Sequence, residues 1–193
     1  MNKYKNYLIA ILFLLLGCST TVKIIVDPVK YNPSILEKNL VKVSYYIDDN
    51  LKTLTEKEGS IIIYKVFLGE CVYKTFKDMM EQIFYDPKEV AGSETTGIVI
   101  KFTKVDSQLV RKIEAYKYSI SINMKIYKDG KLIKEITYSG HNTCEDYFAG
   151  RLVYPNPKEQ VKDVCLGAIV DVVSKIGAFL MKYNFEVWYV FKY

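Results

Sequence analysis

The chain has one histidine and one tryptophan among 193 residues, and its four cysteines show no CxxC or CxxCH spacing. It contains no GxSxG, no HExxH, no Walker loop and no glycine-rich dinucleotide fingerprint. These absences remove the usual signatures of α/β-hydrolases, zincins, phosphate-cradling loops, nicotinamide sites and haem attachment. No cofactor is therefore expected. There is no internal repeat and no low-complexity tract. Basic charge is nowhere concentrated, with 27 Lys and Arg against 22 Asp and Glu, so nucleic acid is not an expected partner. Weak attraction to an anionic membrane surface stays compatible with the balance. Half the residues are apolar and a quarter are charged, the composition of one globular domain with a sound core.

What the chain does have is a distinctive beginning. Lys3 and Lys5 lie in a short polar segment, and residues 7–16 then run apolar without a charge. Ten helical residues cover about 15 Å, half of a ~30 Å hydrocarbon core, so this is a secretory signal and not a stable span. It ends in Leu15-Leu16-Gly17-Cys18. A cysteine directly after the small residue resembles the lipobox of bacterial lipoproteins. The resemblance implies cleavage after Gly17, a diacylglycerol on the Cys18 sulfur, and usually an acyl chain on the new amino group. Two or three such chains hold a protein at a membrane effectively for good. Loss of Lys3 and Lys5 leaves 25 basic against 22 acidic residues, a mature net charge of +3. Position 19 is serine rather than the aspartate that retains such proteins in the inner membrane. The implied address is the periplasmic face of the outer membrane, or the cell surface where there is one membrane.

Residues 1–17 are thus expected as signal peptide, 18–39 as acylated N-terminus with a short linker or edge strand, and 40–193 as a single α+β domain. Ser19-Thr20-Thr21 is all the obvious polar tether there is. Even fully stretched, the residues between Cys18 and Leu40 reach only about 70 Å, so the folded body must sit near its membrane.

The predicted fold class is α+β, a mostly antiparallel sheet with two amphipathic helices packed on one face. Strands are expected at 22–26, 40–47, 60–67 and 97–105, with a polar loop at 48–59 holding one helical turn and another loop at 86–96. Leu68, Val72, Phe76, Met79, Met80 and Ile83 recur at helical spacing, which predicts a helix ending near Phe84 with the two methionines as core filler. Residues 113–127 give the cleanest strand: Tyr116, Tyr118, Ile120, Ile122, Met124 and Ile126 face one way and polar residues the other. One buried and one wet face point to an antiparallel sheet covered on a single side. Lys128-Asp129-Gly130 closes a hairpin. A three-residue loop pairs Ile126 with Leu132, Ile122 with Ile136 and Ile120 with Tyr138, and is preferred because it keeps apolar against apolar. Residues 140–154 look irregular. Asn156 as N-cap, Pro157 at the first position and Glu159 at the third then start a helix. Its wide stripe runs through Val161, Val164, Cys165, Ala168, Ile169, Val172, Val173, Ile176, Phe179 and Leu180. Residues 185–191 read as a final aromatic strand, with Trp188, Tyr189 and Phe191 as candidate interaction residues, since such a strand must join the sheet or a partner.

His141-Asn142-Thr143-Cys144-Glu145-Asp146 is the one cluster with enzymatic potential. His141 and Cys144 are the elements of a nucleophile–base pair, or with the carboxylates of a metal site. A catalytic Cys/His pair normally draws on separated segments, and a structural zinc site wants four ligands in a recognisable spacing. The expectation is a plain loop, no catalytic residue, no metal and no enzyme. Among Cys71, Cys144 and Cys165, one disulfide is arithmetically open in an oxidising compartment; the other reading is that none reacts, Cys165 being a small core hydrophobe. The seventeen tyrosines suit a ligand groove, an interface or half-buried strands.

In element order, residues 40–182 resemble small outer-membrane lipoproteins of the YajG-like and LptE-like types. That resemblance implies a membrane-anchored accessory, assembly or interaction subunit with an envelope protein partner. The alternative is a carrier that holds a lipid or another apolar ligand between helices and sheet.

Overall fold

The computed structural model describes residues 19–33, 38–60, 62–112, 115–145 and 156–185. In chain order they form β1 (Thr20–Ile25), β2 (Val43–Ile47), α1 (Asp49–Lys52), β3 (Thr55–Glu58), β4 (Ile62–Phe67), α2 (Gly69–Ile83), β5 (Lys88–Glu89), β6 (Ile98–Lys112), β7 (Ala115–Lys128), β8 (Lys131–Glu145) and α3 (Pro157–Lys182). This is an α+β fold with two sheets. The larger has the order β5-β2-β6-β7-β8 and the smaller β1-β4-β3.

The alternation in β7 is realised residue by residue. Tyr116, Tyr118, Ile120, Ile122, Met124 and Ile126 are all buried, while their neighbours face outward. On the outer face polar side chains bond across the strands: Ser121 meets Ser139 at 2.8 Å, and Asn123 donates to Glu135 at 3.0 Å and Thr137 at 3.1 Å. β6 and β8 flank β7 antiparallel, whereas β2 joins β6 in parallel and β5 joins β2 in parallel. The long strands span 14 or 15 residues, roughly 50 Å at about 3.3 Å per residue.

Four expectations are corrected here. The strand expected at 97–105 continues to Lys112, because its register slips between Lys104 and Asp106. Val105 bulges out, 57% exposed, and parity inverts: Phe102 is buried on one side of the bulge and Leu109 on the other. Period-2 counting stops at such a point. The hairpin closes with a two-residue turn, Asp129 at φ 48° and Gly130 at φ 79°, the all-left-handed geometry whose twist suits a tight hairpin. The register then shifts at Ile133, so that Ile126 faces Lys134, Met124 faces Ile136, Ile122 faces Tyr138 and Ile120 faces Gly140. A bulge therefore does the work assigned to a longer loop. Residues 140–145 continue β8 and are not irregular. In the polar segment 48–59, the expected helical turn is α1, where the Asp48 carboxylate accepts from the Asn50 amide at 2.8 Å. The rest supplies β3, whose sequence Thr-Glu-Lys-Glu has no apolar alternation and is strand only because it pairs with β4.

The two long helices, α2 and α3, cover the inner faces. Phe76 of α2 packs on Phe102 of β6 with ring centroids 4.9 Å apart. The start of α2 presses on the end of α1 through Gly69, where a Cβ would stand 1.9 Å from the Lys52 carbonyl oxygen. α3 begins as expected, with the Asn156 side chain accepting from the Lys158 amide at 3.1 Å. It is long and apolar enough to cross a membrane by length and composition. Here its stripe is buried from Val161 to Leu180, with Phe179 half-buried against Tyr138. One continuous core joins both sheets and all three helices.

α3 also shields the outer strand of the large sheet. Asp171 accepts from the His141 amide at 3.2 Å and from Lys175 at 2.8 Å, while Lys175 donates to the Ser139 carbonyl at 2.9 Å. Long edge strands invite pairing with other chains, and these bonds occupy the exposed groups at mid-strand. Partial burial works to raise the Asp171 carboxyl, but Lys175 and the His141 amide outweigh it and hold the group below its ordinary value. The stabilisation is therefore complete above the unfolded value of 3.8 and is lost as pH falls through the lower folded one. Asp171→Asn should cost about 1 kcal/mol at neutral pH, discounted for a carboxylate one-third exposed, and nothing at a pH low enough to protonate the carboxyl in both states. Chemical denaturation at the two pH values checks this.

Candidate functional site

Cys18 and Gly17 lie outside the described residues, but the next residue, Ser19, already leads into β1. β1 is the edge strand expected from its sequence, and it runs parallel to β4 from Thr20 opposite Ile62 to Ile25 opposite Phe67. Ile24 is fully buried and Val22 partly so. The small sheet is thus reached one residue after the candidate acylation position, and no loose leash separates them.

Its inner face joins the core. Tyr64 meets Tyr116 edge-on at 6.2 Å. Glu56 of β3 accepts from the Ser107 hydroxyl of β6. Tyr118 stands beside this pair, and burial first, then the Glu56 charge, pushes its phenol well above its ordinary value. The strand end is strapped down by Asp27, which pairs with Lys162 of α3 at 2.7 Å while its carbonyl accepts from the Cys71 thiol at 3.4 Å.

The outer face follows from the same registers. Lys23 of β1, Lys65 of β4 and Lys57 of β3 are direct cross-strand partners and form one row. Beside it stands a second row, Ile25, Phe67 and Thr55. Thr21 and Ile63 lie on the other side of the lysines. Ile25 is 64% exposed. The two glutamates of β3 alternate to the inner face, and among the described residues no carboxylate pairs with any of the three lysines. The Phe67 ring of the neighbouring row lies 5.0 Å from the Lys65 ammonium. Sequence reasoning missed this face. The lysines are 42 residues apart in the chain at their widest, and their row exists only once β3 is known to be a strand.

His141 and Cys144 are separated by the strand they lie on, while Asp146 falls outside the described residues. His141 is opposite Ser119 on the outer face, and Cys144 is opposite Tyr116 on the inner one. A pleated strand sends them to opposite sides of the sheet, so they share no site. Burial raises the Cys71 thiol to about 11 and raises Cys165 further. Both sulfurs stay protonated at neutral pH, a form that is a poor nucleophile and a poor metal ligand. Among the described residues no group of three or more His, Cys, Asp or Glu side chains could hold a metal ion. Trp188, Tyr189 and Phe191 fall outside the described residues. The root of their segment is fixed, since Phe185 is buried with its ring 4.8 Å from Tyr183 and 5.7 Å from Phe84.

No family model matches the sequence, and no curated protein matches it. Several solved structures are similar to it, one of them with a TM-score above 0.5. A Xanthomonas campestris protein of the DUF330 family matches with a TM-score of 0.56 at 7% identity, covering 83% of this chain and 94% of that one. The minor lipoprotein of Acinetobacter baumannii gives a TM-score of 0.42 at 12% identity, covering 75% and 93%. Rare lipoprotein B of Shewanella oneidensis gives 0.38 at 10% identity, covering 71% and 94%.

Proposed function

We propose that the chain is a lipoprotein of the bacterial envelope, fixed through acylated Cys18 at the periplasmic face of an outer membrane, or at the cell surface where there is one membrane. It works there as a non-catalytic accessory or assembly subunit. The observation that carries this reading is the distance between the lipobox cysteine and the fold: Ser19 intervenes, then β1 is already in the core sheet. Such a body cannot leave its membrane to work elsewhere. A structural role also suits the side chains available, since the buried thiols are held protonated and the lone histidine stands on the outer face of a strand.

The carrier alternative needs room between helices and sheet. That layer holds Phe76, Met79, Phe102, Ile120, Ile122 and Met124, each with no exposure, which favours the interaction subunit. A photo-crosslinker at Trp188 in intact cells tests it. The expected result is one envelope protein captured in defined ratio. Stoichiometric lipid in the natively purified protein, with no captured partner, would favour the carrier instead. Turnover of a substrate by the purified protein would overturn both.

A further inference from the structure

We infer that the outer face of the small sheet lies on the bilayer itself and reads its anionic headgroups through the row Lys23, Lys65 and Lys57. The inference rests on acylation of Cys18, and it adds an orientation and a lipid class to that anchor. Three like charges on adjacent strands, about 4.8 Å apart per strand, repel one another and are ordinarily selected against in a sheet. Here they occupy one register row, and among the described residues no carboxylate pairs with them. A surface of negative charge turns that repulsion into attraction, one cation at a time.

Position decides what the surface is. Lys23 follows Cys18 by five residues, so its Cα lies within about 17 Å of the lipidated one. Were β1 to stand upright on the membrane, the row would ride well beyond the ~8 Å screening length of physiological salt. Laid flat, the same strand brings all three ammonium groups to headgroup level. The exposed side chain of Ile25 and the half-buried ring of Phe67 beside the row then meet the apolar boundary beneath. Acyl chains fix the point, and the lysines fix the tilt. The lysine stems are long enough to snorkel while the aliphatic and aromatic groups are covered.

The test uses the full acylated protein, reconstituted into phosphatidylcholine vesicles with and without phosphatidylglycerol. Surface amines are acetylated and each lysine is followed by peptide mass spectrometry, with Lys88 and Lys131 as references outside the face. Phosphatidylglycerol should slow Lys23, Lys57 and Lys65 about fivefold and leave the references unchanged. The difference should vanish near 1 M salt, where screening shortens to about 3 Å. In a K57Q/K65Q variant, Lys23 should react at the phosphatidylcholine rate even on the anionic vesicle, while the protein stays anchored. Equal rates on both vesicles with the protein still bound would overturn the inference and leave the anchor standing. Slowing in native envelopes but on neither vesicle would assign the face to a protein and overturn it too. Protein that washes off both vesicles would bring down the anchor and the inference together.

Discussion

Cells producing the Cys18→Ser chain should accumulate it uncleaved and unacylated, with Lys3 and Lys5 still attached. The sulfur is the one atom of that segment able to carry the diacylglycerol thioether, and cleavage after Gly17 follows lipidation in the lipoprotein family that this segment resembles. The physical effect is large. Each methylene buried in the bilayer contributes about 0.8 kcal/mol, so a single long acyl chain contributes roughly 10 kcal/mol and two or three make release negligible. The variant instead keeps one apolar stretch too short to span. Intact mass and detergent-phase partitioning of the envelope fraction check both parts. Equal mature mass and equal partitioning for wild type and variant would refute lipidation at this position, and with it the envelope role.

The second large effect lies in the core. Gly140→Ala should destabilise the fold by about 3 kcal/mol and lower Tm by roughly 6–12 °C for a domain of this size. At Gly140, β8 passes directly beneath α3. A Cβ there would sit 2.1 Å from the Ala168 carbonyl oxygen, 2.7 Å from the Val172 amide nitrogen and 2.8 Å from the Val172 Cβ. None of these atoms is the end of a flexible side chain, so the helix as a whole must lift. Gly167→Ala is the control. Its Cβ would meet the Asn142 side chain, which can swing away, and alanine gains about 1 kcal/mol of helix propensity. Its Tm should stay near wild type. Thermal unfolding of the two variants side by side separates them, and a Gly140→Ala chain that melts with wild type would show that α3 does not bear on β8 there.

Much of this fold is legible in the sequence wherever one periodicity runs unbroken. The six apolar residues of β7, the stripe of α2 and the Asn156-Pro157 start of α3 all stand where their spacing places them, because each element buries one face against one core. Legibility fails where a single residue leaves the ladder. Val105 bulges, and beyond it the inward parity is opposite to the one being counted. Ile133 bulges beside the turn, so Ile136 and Tyr138 keep their expected inward side but move to other partners. β3 was hidden for another reason: its four residues carry no apolar pattern, and β4 alone makes them a strand. The candidate face inherits that obscurity. Cys18 can be picked out from its immediate neighbours, whereas the lysine row depends on two pairings that no local pattern announces. His141 and Cys144 show the reverse case, neighbours in the chain that the pleat sends apart.

The parallel pairing of β1 with β4 has a mechanical consequence. With Cys18 acylated as proposed, a pull on that anchor draws β1 toward Ser19, while the body holds β4 from its far end, where Phe67 leads into α2. The two strands are then loaded along their axes in opposite directions, so the rungs between them share the tension at once and do not unzip one after another. Drag on the body would thus reach the acyl chains of the proposed anchor through the whole β1–β4 ladder and not through one rung at a time.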